Sequence, residues 1–443
     1  MHKFILILLA GVIFPVVSVA QRNLQKTDSV TYRMYLDKKW TQLLRESQKA
    51  FREGTDFYYL RIRAGVAAYE SRKYRQAVKH FQRAFDENST DDFLNSYYYW
   101  SLIMSGREDE AQNAADRFSP SFLKQEKIRK KGLVYGISSE TLFSFNPDAN
   151  DMAGEDIKAE GSYSNYRSVL RSQFYQGFSA DHHLLPRLNL YQNLSFMGID
   201  RTQQYQSEVN LLDTLKESVT NQFQYFLSGR MIWGKGWTVS AAFTRLWGKS
   251  YFHIPEYQSG GFFNLAERSW GIRDYLVNAG IAREMTFFRP ELDCGWGKIN
   301  RTRQLQANLR MTIYPLQNVD LYMIPQVSAH WDGILDRPEM VFIPKVGIKA
   351  GPVWLAGEYG IGRIRNFFSE QGLVVFNMPE TITGKWGISL WAPLFQHKAN
   401  LMLQCRQSKK EGMTFVYSDA ENYTLKPFRF NDRSLFISLK WNL

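Results

Sequence analysis

The chain has 443 residues, more than one ordinary domain, and it carries 31 Phe, 24 Tyr and 12 Trp beside only 14 Pro and 2 Cys. Soluble enzymes rarely combine so many aromatic residues with a mildly polar average, whereas a membrane-spanning β-barrel with aromatic girdles and a wet lumen does. The formal net charge of +12 favours an anionic partner.

In chain order, the first predicted element is a secretory signal peptide over residues 1–20. Lys3 supplies a basic start, Phe4 to Val17 an apolar run too short to span a bilayer, and Ser18, Val19 and Ala20 a small-residue cleavage site. No Cys follows to suggest a lipid anchor, and no later stretch offers the roughly 18 apolar residues of a membrane helix, so any membrane contact must be made by strands. For an exported chain without a nucleic-acid motif, the positive charge points to outer-membrane lipid phosphates, anionic polysaccharide or acidic solutes, and excludes nucleic acid. Cys294 and Cys405 lie far apart on the apolar faces of predicted strands and are read as free thiols.

Residues 21–131 form the second region. Segments Asp37 to Phe51, Ser71 to Phe85 and Ser105 to Phe118 align without gaps at a period of about 34 residues, which makes Trp40, Tyr74 and Glu108 equivalent, and likewise Leu43, Ala77 and Ala111. Between them lie partner helices around Tyr58 to Tyr69 and Phe93 to Met104, and Gly65, Ala68, Ala77 and Ala84 allow paired helices to approach closely. This pattern resembles the tetratricopeptide repeat family. Asp86 to Thr90 stands where that family usually places Pro, and the third copy is degenerate. The resemblance implies a concave face that binds a periplasmic protein, with Tyr58, Tyr59, Arg61, Arg63, Tyr97 and Tyr98 as the docking face; the competing reading packs most of these aromatics between helices. His80 is read as structural or solvent-facing.

From residue 132 to residue 443 the apolar pattern changes to strict alternation. Strands are predicted near 133–145, 163–179, 184–199, 218–233, 236–249, 273–288, 290–299, 302–314, 319–332, 339–350, 352–363, 382–392, 397–408 and 432–443. That makes about fourteen, the even number a bacterial barrel needs to leave no edge open. Short turns are expected near 180–183, 234–235, 289–290, 315–318, 351–352 and 393–396. Longer external loops are expected near 146–162, 200–217, 250–272, 333–338, 364–381 and 409–431, with 300–301 a short exception. The last segment, with Leu439, Trp441 and Leu443 on one face, resembles the C-terminal strand by which the barrel assembly machinery recognises its substrates.

Assigning apolar residues to lipid turns Arg167, Arg171, Arg187, Arg230, Arg310, Lys345, Lys349, Lys385, Arg406 and Lys440 inward, along with Glu140, Glu284, Glu291, Asp293, Asp320 and Glu358. The lumen is therefore wet and net basic, either as an open path for anions or as a set of paired charges that plugs it. No catalytic, metal or cofactor motif emerges. His330, near Ser328 and Asp332, is the best candidate base and reads better as a lumen hydrogen-bonder. Tyr257, Phe262 and Phe263 could stack on a sugar or simply fold over the mouth.

The expected architecture is α+β and multidomain: N-terminal helical repeats in the periplasm followed by an antiparallel transmembrane barrel in the outer membrane of a Gram-negative bacterium. It resembles that of exopolysaccharide exporters, with a short repeat region. Three functions are open: a channel or exporter for an anionic polymer or solute, a barrel-anchored scaffold with a closed pore, and a lipid-modifying barrel enzyme.

Overall fold

The computed structural model describes residues 24–207, 212–257, 263–333, 336–419 and 421–443. The predicted signal peptide, Phe262, and the side chains of Tyr257 and Phe263 lie outside the described parts. The chain divides into two compact units, the first running to Lys130 and taking in the short segments Met285–Phe287 and Tyr314–Val319.

The first unit is helical: α1 (24–36), α2 (Trp40–Arg52), α3 (Tyr58–Glu70), α4 (Tyr74–Glu87), α5 (Asp92–Met104), α6 (Glu108–Ala115) and α7 (Pro120–Gln125). The repeat seen in the sequence is a repeat of conformation. Helices α2, α4 and α6 begin at the aligned residues Trp40, Tyr74 and Glu108. Two residues before each start the backbone turns left-handed, with φ of 53° at Lys38, 58° at Arg72 and 75° at Gly106. A glycine occupies this conformation freely and the other two do so at a cost met by the surrounding turn. Helix α5 starts where Asp91 accepts hydrogen bonds from the amides of Phe93 and Leu94, satisfying donors the helix cannot.

Small residues set how closely these helices pack. A Cβ at Gly65 of α3 would lie 2.4 Å from the Phe81 ring of α4, so the glycine is what admits the ring. Phe81 is fully buried with Leu43, Leu94 and Leu102; truncating such a ring costs on the order of 3–5 kcal/mol.

The second unit is a barrel. Its strands are β1 (Val134–Phe145), β2 (Ser164–Leu185), β3 (Leu188–Ser207), β4 (Leu212–Gly234), β5 (Trp237–Tyr257), β6 (Phe263–Arg283), β7 (Phe288–Ile299), β8 (Thr302–Ile313), β9 (Leu321–Ile324 and Gln326–Asp332), β10 (Glu339–Phe342 and Lys345–Ala350) and β11 (Val353–Ile364). A two-stranded hairpin, β12 (Phe367–Ser369) and β13 (Val374–Phe376), precedes β14 (Thr381–Leu394), β15 (Ala399–Tyr417) and β16 (Tyr423–Asn442). Strands β9 and β10 are each interrupted at a proline, Pro325 and Pro344, which lacks the N–H a ladder needs. Their carbonyls still accept from Met311 and Tyr359, keeping both interrupted strands in the ladder. Each barrel strand pairs antiparallel with its neighbours, and β1 pairs with β16 from Gly136 opposite Asn442 to Phe145 opposite Arg433. Fourteen strands therefore close on themselves.

Differences from the sequence reading lie at the strand ends. Much of the expected loops 200–217, 250–272 and 409–431 continues as strand, because Thr202, Gln203, Gln204 and Tyr205 are polar residues that still pair in register. The expected turns at 180–183 and 289–290 are inside β2 and β7; the chain reverses at Pro186 and Arg187 and over 284–287 instead. Between β7 and β8, Asn300 and Arg301 have φ of 50° and 65°, the paired left-handed residues of a two-residue hairpin turn. Outward side chains are apolar and exposed, among them Phe178, Leu194, Leu292, Trp296, Leu309 and Ile388. Cys294 and Cys405 are free and exposed. Leu439, Trp441 and Leu443 are exposed as well.

His80 is buried in the helical unit, its ring 5.4 Å from that of Phe51 and its Nδ1 3.2 Å from the Arg61 guanidinium. Arg61 can only donate, so the ring proton sits on Nε2. Burial, reinforced by Arg61, pushes the His80 pKa down to about 3. The unfolded chain, with histidine near pH 6.5, binds the proton first, so stability present above pH 6.5 is lost as pH falls towards 3. Hydrogen exchange of α3 and α4 in the full chain should show their stability falling by up to about 1.4 kcal/mol per pH unit in that window, and His80→Gln should flatten the slope.

Candidate functional site

The segment between β11 and β14, expected as an external loop, enters the barrel. Its tip is tight because Glu370, Gln371 and Gly372 have φ of 50°, 58° and 97°. Just before it, Phe367 and Phe368 are fully buried in two different apolar clusters, Phe367 with Val341, Ile343, Ile364 and Ile382, and Phe368 with Leu276 and Ile299. A backbone in a lumen must find partners for its polar groups, and the barrel wall supplies them. Gln306 of β8 donates to the Phe368 carbonyl at 2.6 Å and accepts from its amide at 3.2 Å, as a neighbouring strand would. Thr244 of β5 donates to the Gly372 carbonyl at 2.8 Å, and Gln224 of β4 to the Leu373 carbonyl at 2.6 Å. Gln371 reaches Ser240 at 2.7 Å.

Both feet of the segment are also held. On the entry side, Asn366 donates to Asp332 at 2.8 Å and accepts from Asn300 at 2.8 Å. On the exit side, Asn377 donates to Gln222 of β4 at 2.6 Å. Glu380 forms a two-pronged ion pair with Arg201 of β3, its second contact measuring 2.8 Å.

The hairpin divides the lumen. Towards the long strand hairpins lies a chamber of about 980 Å³ that includes Tyr166, Arg201, Phe252, Trp270 and Arg301, with Arg365, Asn366 and Asn377 to Glu380 contributed by the feet of the hairpin. Towards the short turns lies a second cavity of about 470 Å³, where the tip residues Glu370, Gln371 and Leu373 meet Arg230, Arg310 and Lys440. The extension of β15 roofs the first chamber by pairing with β2 from Thr414 opposite Arg167 to Tyr417 opposite Ser164, which sets the Phe415 ring 5.8 Å from that of Tyr166.

Of the ten basic residues expected inside, Arg230, Arg310 and Lys440 line the smaller cavity. Arg310 pairs with Glu291 at 2.8 Å and Lys440 with Asp181 at 2.7 Å. Lys385 and Arg406 converge on Glu358 at 3.9 and 3.2 Å, with Lys345 opposite Glu358 in the β10–β11 ladder. Lys349 lies 4.6 Å from the Trp354 ring. The other three are placed elsewhere. A bulge between Leu170 and Ser172 shifts the alternation of β2, so Arg167 is buried against Glu155, Gln204 and the Met152 carbonyl beside the short helix α8 (Ala149–Gly154), and exposed Arg171 pairs with Glu217. Arg187 is in an exposed turn. Sequence reasoning missed Arg201 because it ended β3 at residue 199; continued alternation through Ile199, Arg201, Gln203 and Tyr205 was the available signal.

The expected docking face is mostly internal packing. Tyr58 donates to Asp91 at 2.8 Å, Arg63 to Asp28 at 2.8 Å, and buried Arg61 is held by Asp56. Tyr97 packs among Tyr69, Phe81 and Phe93, and Tyr98 is buried beside Phe85. Tyr59, at 63% exposure, faces outward. His330 bonds Gln304 at 2.8 Å and meets Phe367 edge-on, while Asp332 takes Asn366, so these residues hold the hairpin rather than one another. Among the described residues no group of three metal-ligating side chains occurs.

No family model and no curated protein matches the sequence. Among solved structures the chain is similar to the toluene transporter TodX of Pseudomonas putida, with 8% identity, a TM-score of 0.45, and coverage of 70% of this chain and 90% of that one. A Pseudomonas aeruginosa FadL homologue gives 8% identity and a TM-score of 0.43, covering 70% and 90%. A bacterial polysaccharide outer membrane secretin gives 7% identity and a TM-score of 0.36, covering 69% and 98%. The barrel assignment stands on the chain's own strand pairing.

A Cβ at Gly295 would lie 2.4 Å from the Phe368 ring. Gly295→Val should therefore unseat the hairpin, and overpacking strain of about 1–3 kcal/mol corresponds to roughly 5- to 150-fold faster amide exchange over residues 367–376. Exchange of β7 and β8 should stay at the wild-type rate; loss of protection there as well would mean that the wall, not the hairpin, gives way.

Proposed function

We propose that this chain is an outer-membrane channel or exporter for an anionic solute or polymer, closed in this conformation by its own hairpin. The observation that carries the reading is the charge of the larger chamber: Arg201, Arg273, Lys298, Arg301 and Arg365 line it against Asp274 and Glu380. An excess of cations in a narrow, low-dielectric passage concentrates anions. The smaller cavity continues the bias with Arg230, Arg289, Arg310 and Lys440 against Asp181, Glu291 and Glu370.

An apolar outer belt and a sheet without edges suit a bilayer, and the predicted signal peptide and the terminal Leu439, Trp441 and Leu443 suit export and delivery by the barrel assembly machinery. In this reading the short turns face the periplasm, where the helices act as a tetratricopeptide-type module that recruits a periplasmic protein. With five of the six expected docking residues engaged internally, that partner would meet Tyr59 and its surroundings. We assign the chain no catalytic role. A second reading, a scaffold anchored by a permanently closed barrel, is favoured by the number of hydrogen bonds that seat the hairpin.

Planar-bilayer recordings separate the two. Ile364 and Ile382 are already ladder partners, so residues 365–380 can be replaced by a short Gly/Ser turn without displacing β11 or β14. The refolded wild-type chain should be silent or flicker briefly, and the variant should conduct steadily with anion selectivity. Silence from a correctly folded variant would favour the scaffold.

A further inference from the structure

The ion pair between Arg201 and Glu380 has a feature that support of the barrel does not require. Both side chains are buried, with 8% and 2% of their surface exposed, and they join the wall at β3 to the foot of the segment that closes the lumen. The pair is two-pronged, the geometry in which a guanidinium grips a planar carboxylate, and a carboxylate is what occupies it here. Around it the chamber offers the Tyr166 and Phe252 rings and the hydroxyls of Ser168 and Thr220, within a volume of about 980 Å³. Such a chamber is large enough for a small ligand with an apolar or sugar-like body.

Resting on the channel reading above, we infer that Arg201 is the carboxylate-recognition residue of the channel, and that Glu380 occupies it as an internal stand-in for the carboxylate of the transported solute. A carboxylate that enters the chamber displaces Glu380 from Arg201. The exit foot is then held only through Asn377, which donates to Gln222 and accepts from Asn300 at its carbonyl, and the buried Glu380 carboxylate, having lost its Arg201 counter-charge, moves towards water and draws the hairpin with it. A tethered carboxylate acts at an effective concentration in the millimolar range, so a free one competes at roughly millimolar levels and above. A neutral molecule of the same shape leaves the pair intact, since it gains nothing from Arg201 in place of Glu380.

The test uses the refolded full chain in planar bilayers with galacturonate and galactose as probes. Galacturonate should raise the open probability by roughly tenfold, and galactose should leave it near the resting level. Glu380→Gln should open without any probe. The charge-reversed pair, Arg201→Glu with Glu380→Arg, should restore the closed state and lose the response to galacturonate; a residue pair that only braces the barrel would not lose it. The inference is overturned if galacturonate has no effect on a protein whose hairpin-less variant conducts, if galactose opens it equally, or if the reversed pair still responds. A hairpin-less variant that does not conduct would instead remove the channel reading itself.

Discussion

A sheet surrounded by hydrocarbon can leave no backbone donor or acceptor unpaired, and that constraint organises the second unit of this protein. It requires the last strand to find the first, which it does along the register of Phe145 with Arg433 through Gly136 with Asn442. Closure in turn fixes which side chains meet lipid and which are trapped inside. The inward set is dominated by amides, hydroxyls and charges, and a lumen lined in that way is able to hold a further piece of backbone.

The inserted hairpin uses this capacity. Gln306 presents a donor and an acceptor to Phe368 as a strand would, and Thr244 and Gln224 take the carbonyls that follow. The two phenylalanines fill two different apolar clusters, so the segment is fixed by packing as well as by hydrogen bonds. Several wall cations have carboxylate partners, Arg310 with Glu291 and Lys440 with Asp181 among them. Those charges are neutralised locally, and of the two cavities the larger chamber carries the greater excess of cations.

Much of this was legible in the residues. The number of strands followed from alternation because one face of every strand must be apolar, and the 34-residue repeat was legible because equivalent positions such as Leu43, Ala77 and Ala111 must all be buried between helices. What escaped was set by contacts distant in sequence. Nothing local to Phe368 announces Gln306, which lies 62 residues away. The bulge at Leu170 and Ser172 reverses the facing of Arg167 without changing residue types. Helix α5 is apolar on nearly every side through Tyr97, Tyr98, Tyr99 and Trp100, so its periodicity could not separate a groove from a core.

The central claim is that one movable hairpin, not the wall, closes the lumen. Cross-linking tests it most directly: Ser240→Cys and Gln371→Cys, at positions whose side chains now touch, in a background of Cys294→Ser, Cys405→Ser and the opening substitution Glu380→Gln. Conductance should vanish when a short bismaleimide joins the two positions and persist when the same reagent is applied to either single cysteine. Conductance that survives the cross-link would contradict the account, because ions would then be passing by a route the hairpin does not block.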